Sequence, residues 1–192
     1  MCFDDGSKLR LYRQSVEDFA LYTGKELTTQ EYQDLLENAA QLSAKMRAVR
    51  IISASNVSKK DLQSRLVRKG EDPLHAQQAV EWLSGMNVLD DRNTAQSVVR
   101  SCVAKGYGLA RARQALYEKR IPREYWEEAL EDYPDQGEKI TQFLRSRLEG
   151  TTDPKARKRA IDALLRRGHS YHAIRQALSE LSFDTEDFPE EE

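Results

Sequence analysis

A chain of 192 residues has room for one extended array or two small domains. With 39% hydrophobic and 32% charged residues, it favours thin units with much exposed surface over one thick core. No apolar run approaches the roughly 18 residues of a membrane span, the N-terminus lacks the apolar core of a secretory signal, and two cysteines, Cys2 and Cys102, imply no disulfide framework, which fits a reducing cytosol. The net charge of −2 hides an asymmetry. Asp184 to Glu192 holds six acids and no base, which leaves 30 bases against 26 acids elsewhere. Arg145 to Arg175 holds nine bases and three acids. A basic face with an acidic tail points to a polyanion partner and a tail that competes with it.

Residues 1–28 stand apart. Ser7 to Tyr12 alternates polar and apolar like a short strand, and Asp4-Asp5-Gly6 is a turn signal. Little lies upstream to pair with, so this extension is expected to be a partial, poorly ordered hairpin. From Thr29 the period becomes helical. Tyr32, Leu35, Leu36, Ala39, Leu42, Met46, Val49 and Ile52 share one face of a helix that reaches about Ser53. Ser58 caps the next helix, with Asp61 in a weak capping box, and Gly70 ends it in a left-handed conformation. Asp72-Pro73 starts another, which ends near Gly85.

An aspartate of Asp90-Asp91 then caps a helix carrying Ala95, Val98, Val99 and Cys102. Gly106-Tyr107-Gly108 separates it from a helix with Ala112, Ala115 and Leu116, and Ile121-Pro122 opens the one with Trp126, Ala129 and Leu130. From Asp135, Ile140, Phe143, Leu144 and Leu148 define a helix. Thr151-Thr152-Asp153-Pro154 starts the next, Gly168 ends it, and Ser170 caps the last.

These segments repeat. Leu66-Val67-Arg68-Lys69-Gly70, Leu116-Tyr117-Glu118-Lys119-Arg120 and Leu164-Leu165-Arg166-Arg167-Gly168 place their first leucines 50 and 48 residues apart. About ten residues past each basic pair comes an apolar pair, Ala79-Val80, Ala129-Leu130 and Ala177-Leu178. The expectation is an all-α, elongated array of three tandem three-helix repeats. Their bounds are 29–89, 90–134 and 135–183, between the extension 1–28 and a disordered acidic tail 184–192.

The residues make no case for catalysis. Gly106-Tyr107-Gly108 lacks the Gly-Lys-Ser/Thr that a phosphate loop needs and reads as a helix cap and a helix start. His169 and His172 are spaced to share a helix face, but a metal would need two more ligands. No serine sits in a Gly-x-Ser-x-Gly elbow. Neither a metal nor a cofactor is expected. The cations carry the signal, with a cluster in each repeat: Arg65, Arg68 and Lys69; Lys105, Arg111, Arg113, Lys119 and Arg120; Arg157, Lys158, Arg166 and Arg167. One cation per helix end is explained by the helix dipole; clusters are not. Tyr107, Tyr117 and Tyr171 lie beside them, placed either to stack on bases or to cover the core edge.

The residues that carry a family likeness are Leu89-Asp90-Asp91 with Ala95, Lys105-Gly106-Tyr107-Gly108, and Arg111 with Arg113-Gln114-Ala115-Leu116 running to Lys119, Ile121 and Pro122. Ser58, Asp61-Leu62, Arg65-Leu66 and Lys69-Gly70 extend it to the first repeat, and Leu164 to Gly168 with Ser170 to the third. Nearly the whole chain resembles the RecX family, regulatory proteins of the bacterial recombinase RecA. Phe3 to Leu27 looks like the later part of the N-terminal extension of longer members, without the strand that precedes it there. Arginine stands at 120 where glycine is usual, and Ala54-Ser55-Asn56 where many members have an arginine before the Ser58 cap.

The resemblance implies a modular, all-α protein; the chain is expected to be cytoplasmic and monomeric. It would bind in the helical groove of the RecA–single-stranded-DNA filament, inhibit ATP hydrolysis and strand exchange, and destabilise the filament. The cations named above are the expected contacts, with RecA or with the strand. A general nucleic-acid-binding repeat protein, or a protein-binding scaffold without DNA, are the rival readings.

Overall fold

The computed structural model describes residues 1–4, 6–150 and 153–181. Among them the protein is all-helical, and the chain divides into two compact units, Met1–Asp90 and Asp91–Glu192. The acidic tail and the Thr151-Thr152 cap lie outside the described residues.

In the first unit the expected hairpin reduces to an isolated antiparallel bridge between Cys2 and Lys8. A short helix that the alternation did not announce, α1 (Arg13–Asp18), follows it. Ser15 of α1 is fully buried and donates its hydroxyl to Asn38 Oδ1 at 2.7 Å, tying α1 to α2 (Thr29–Ala54). A reciprocal capping box starts α2: Thr28 Oγ1 accepts from the Glu31 N–H and the Thr28 N–H donates to Glu31 Oε2. α3 (Lys59–Arg68) is capped by Ser58, and α4 (Pro73–Gly85) by Asp72 with proline at the first turn. The three helices close on one core around Leu62, Leu66, Leu83 and the small residues Ala44, Ala48, Ala76 and Ala79. Alanines at these contacts let helix backbones approach closely, which a thin unit needs.

The second unit holds two cores. α5 (Asp91–Ala104), α6 (Leu109–Glu118) and α7 (Trp126–Leu130) enclose Ala95, Val99, Cys102, Ala112, Leu116 and Ile121. The helix expected at Pro122 starts instead as a 3₁₀ turn, Arg123–Tyr125, so α7 has five residues. α8 (Gly137–Leu148), α9 (Pro154–Arg166) and α10 (Tyr171–Glu180) enclose Ile140, Leu144, Leu148, Leu164, Ile174 and Leu178.

The leucine repeat has a specific backbone meaning. At the ends of α3, α6 and α9 the leucine carbonyl accepts a six-to-one bond: Glu71 N–H to Leu66 O at 3.1 Å, Ile121 N–H to Leu116 O at 3.1 Å, His169 N–H to Leu164 O at 3.2 Å. The inner five-to-two bond is present at all three, from Gly70, Arg120 and Gly168. This is a Schellman cap, which needs a left-handed residue just past the helix. Gly70 has φ +91, Gly168 φ +82 and Arg120 φ +54. The repeat is therefore one helix-ending device at the corresponding end of each bundle, with an arginine in the glycine position once; the same pair of bonds also ends α1 at Ala20, α4 at Asn87 and α5 at Gly106.

Candidate functional site

Part of each cluster of cations sits on one of these helix ends, and the rest lies elsewhere on the same helix or at the end of the preceding one. At α3, Arg68 and Lys69 are exposed, while Arg65 is held to Asp61 at 2.9 Å and bonds Ser55 Oγ at 3.3 Å. The turn itself is fixed to α2: Arg47 pairs with Glu71 at 2.6 Å and donates to the Lys69 carbonyl at 2.8 Å. At α9, Arg166 is exposed and Arg167 lies over the ring of Phe143, 4.7 Å from its centroid. Of the pair near its start, Lys158 is exposed and Arg157 half-buried. At α6 the basic pair is displaced by one position. Lys119 is the capping residue, as Lys69 and Arg167 are, but Arg120 takes the left-handed place and Glu118 stands where Arg68 and Arg166 do. The three pairs therefore do not occupy identical positions, as the repeat suggested.

In the middle cluster Lys105 and Arg113 are exposed. Arg111 is engaged: both its terminal nitrogens reach Glu118, at 3.0 and 3.4 Å, and this pair holds the Glu118 carboxyl below its ordinary value. Tyr107 is half-buried against the core, and its carbonyl accepts the Tyr133 hydroxyl at 2.7 Å. It covers the core edge. Tyr117 and Tyr171, 64% and 38% exposed, are aromatics beside the cations that reach the surface.

The Gly106-Tyr107-Gly108 turn is the joint between the two cores of the second unit. The Gly108 N–H donates to the Arg167 carbonyl at 2.9 Å, and the Gly106 carbonyl meets His169 Nε2 at 3.0 Å. Lys139 Nζ donates to the Val103 carbonyl at 2.6 Å. The backbones are so close that a Cβ on Gly108 would lie 2.0 Å from Gly168 O. This explains the second glycine better than a loose helix start does. His169 and His172 part company here: His169 is buried in the joint and His172 is exposed on α10. Burial pushes the His169 imidazole below its ordinary value, and Arg167 adds to that against the opposing hydrogen bond to the Gly106 carbonyl.

Lys139, Phe143 and Arg147 went unnoticed as functional residues in the sequence. They follow one another at four-residue spacing along α8, with Arg147 5.6 Å from the Phe143 centroid. Among the described residues, no helix is long and apolar enough to cross a membrane.

Residues 90–130 match the family model described as the RecX second three-helix domain, which covers α5 to α7. The regulatory protein RecX of Vibrio parahaemolyticus is 30% identical over 78% of this chain and 96% of its own length. That of Xanthomonas campestris pv. campestris is 34% identical over 73% and 87%. A crystal structure of a regulatory protein RecX superposes with a TM-score of 0.66 at 18% identity, covering 92% of each chain, which shows a shared fold. With the likeness to the Vibrio protein spanning nearly all of that protein, the chain belongs to the RecX family of regulatory proteins.

Proposed function

We propose that this protein regulates RecA by seating in the groove of the RecA–single-stranded-DNA filament, where it suppresses ATP hydrolysis, strand exchange and filament growth. It acts as a cytoplasmic monomer in DNA recombination and repair and in the SOS response. The observation that carries this reading is the basic helix end set on the same Schellman cap three times, at Arg68-Lys69, Lys119-Arg120 and Arg166-Arg167. A device repeated at about 50-residue spacing suits a partner that is itself a repeating polyanion. Arg65 in the first unit, and Lys105, Arg113, Arg157 and Lys158 in the second, are further candidate contacts. Tyr107 and Arg111 are less available, since one packs on the core and the other is bound to Glu118. The test is RecA ATPase on single-stranded DNA, titrated with this protein. Falling turnover supports the reading. Unchanged ATPase and unchanged filament length would remove it.

A further inference from the structure

α8 separates two cavities of opposite character. One, of about 560 Å³, is lined by Asp135, Glu138 and Glu180 together with Arg145. The other, of about 330 Å³, lies at the joint and is lined by Lys105, Lys139 and Arg167, with Gln142, Ser146 and the Phe143 ring; no Asp or Glu is among its lining residues. Arg147 adds a fourth cation, over the same ring as Arg167. None of these four cations forms an ion pair among the described residues. Gathering like charges without a carboxylate is unfavourable unless an anion joins them.

We infer that this cavity is a seat for a phosphodiester group of single-stranded nucleic acid. The inference rests on the reading above and specifies where a strand would bind. The chemistry of the cavity favours a strand over an acidic protein. Lys139 uses one of its three donors on Val103 and keeps two. The Arg167 guanidinium lies over the Phe143 ring, and a guanidinium is a group on which a base can stack. The half-buried Phe143 ring supplies an apolar surface for a sugar, which a carboxylate side chain would leave uncovered. A cationic groove with an aromatic beside it is how non-specific single-strand sites are built.

The test uses the full-length protein, a labelled oligothymidylate and fluorescence anisotropy, with RecA absent. Ser146→Asp puts a carboxylate into the cavity and Lys105→Gln removes an exposed cation. Gln176→Glu, in the acid-lined cavity, makes a unit charge change away from the seat. The expected result is about tenfold weaker binding for Ser146→Asp, and a log–log salt slope for Lys105→Gln smaller by about 0.7, the single-strand value for one phosphate. Gln176→Glu should stay within about twofold of wild type. Equal losses in Ser146→Asp and Gln176→Glu would show a diffuse charge effect and overturn the seat. So would an equal loss of binding to a polyglutamate peptide, which would indicate an acidic protein. Displacement of the oligonucleotide by millimolar inorganic phosphate at constant ionic strength would identify a free-phosphate site and likewise overturn it. If the wild-type protein binds no oligonucleotide, the seat is wrong while the RecA ATPase titration still stands or falls by itself.

Discussion

The turns after α3 and α9 share a backbone conformation, a glycine and a hydrogen-bond pattern, yet they live in different surroundings. A Cβ on Gly70 would meet nothing within 4 Å, whereas a Cβ on Gly168 would lie 2.2 Å from the Arg111 nitrogen and 2.6 Å from its Cβ. The first glycine is needed only for its φ. The second is needed for φ and for space, because the joint between the two cores of the second unit closes on it. The turn after α6 is a third case, with Arg120 in the left-handed place and the strain left in. One local device thus has three energetic settings, and only the context of each turn distinguishes them.

The comparison can be broken by substitution. Gly168→Ala adds the left-handed penalty to a backbone clash and should destabilise the second unit by about 3 kcal/mol or more. Gly70→Ala should cost the first unit about 1 kcal/mol through φ alone. Urea unfolding of the two variants measures both, and equal losses would remove the distinction. Arg120→Gly should move the other way, stabilising by about 0.5 kcal/mol once the greater freedom of glycine in the unfolded chain is subtracted. A loss of stability there would mean that the arginine side chain contributes more than its backbone costs.

Acid should separate the units more gently. The His169 pKa is lowered on folding, so protonation favours the unfolded chain. Its contribution is complete above the ordinary value of 6.5 and is lost as pH falls below it. In the first unit, the hydrogen bond from His75 lowers the pKa of Glu37, whose contribution is lost only as pH falls below 4.5. Stability measured between pH 7 and 5 should therefore decline in wild type and flatten in His169→Gln.

Much of the fold was legible because the helix-ending device is written in residue types that leave little choice. Leucine at the capped carbonyl, a basic residue at the end and glycine beyond mark α3 and α9 without any structure. The α6 end was legible as a repeat but not as a shifted one, since Lys119-Arg120 looks like the other pairs until φ is known. α1, of six residues, is too short to show a period, while α7 was expected after Ile121-Pro122 and differs only in its 3₁₀ start and its length of five residues. Among the candidate contacts the cations were visible and their engagement was not. Arg111 and Arg113 are two residues apart, but only Arg111 has Glu118 two turns on along its own face. The joint was hidden because Gly106, Gly108 and His169 have ordinary local explanations. Their shared role depends on a contact across some sixty residues of chain.

The account turns on whether the exposed cations of the three clusters are the working surface. Arg68, Arg113 and Arg166 are exposed, one in each helical bundle, so reversing them together should spare the fold. The decisive measurement is RecA ATPase on single-stranded DNA titrated with the triple variant Arg68→Glu/Arg113→Glu/Arg166→Glu beside wild type. Loss of suppression with an unchanged helical circular dichroism spectrum is the predicted result. Full suppression by the triple variant would contradict the account.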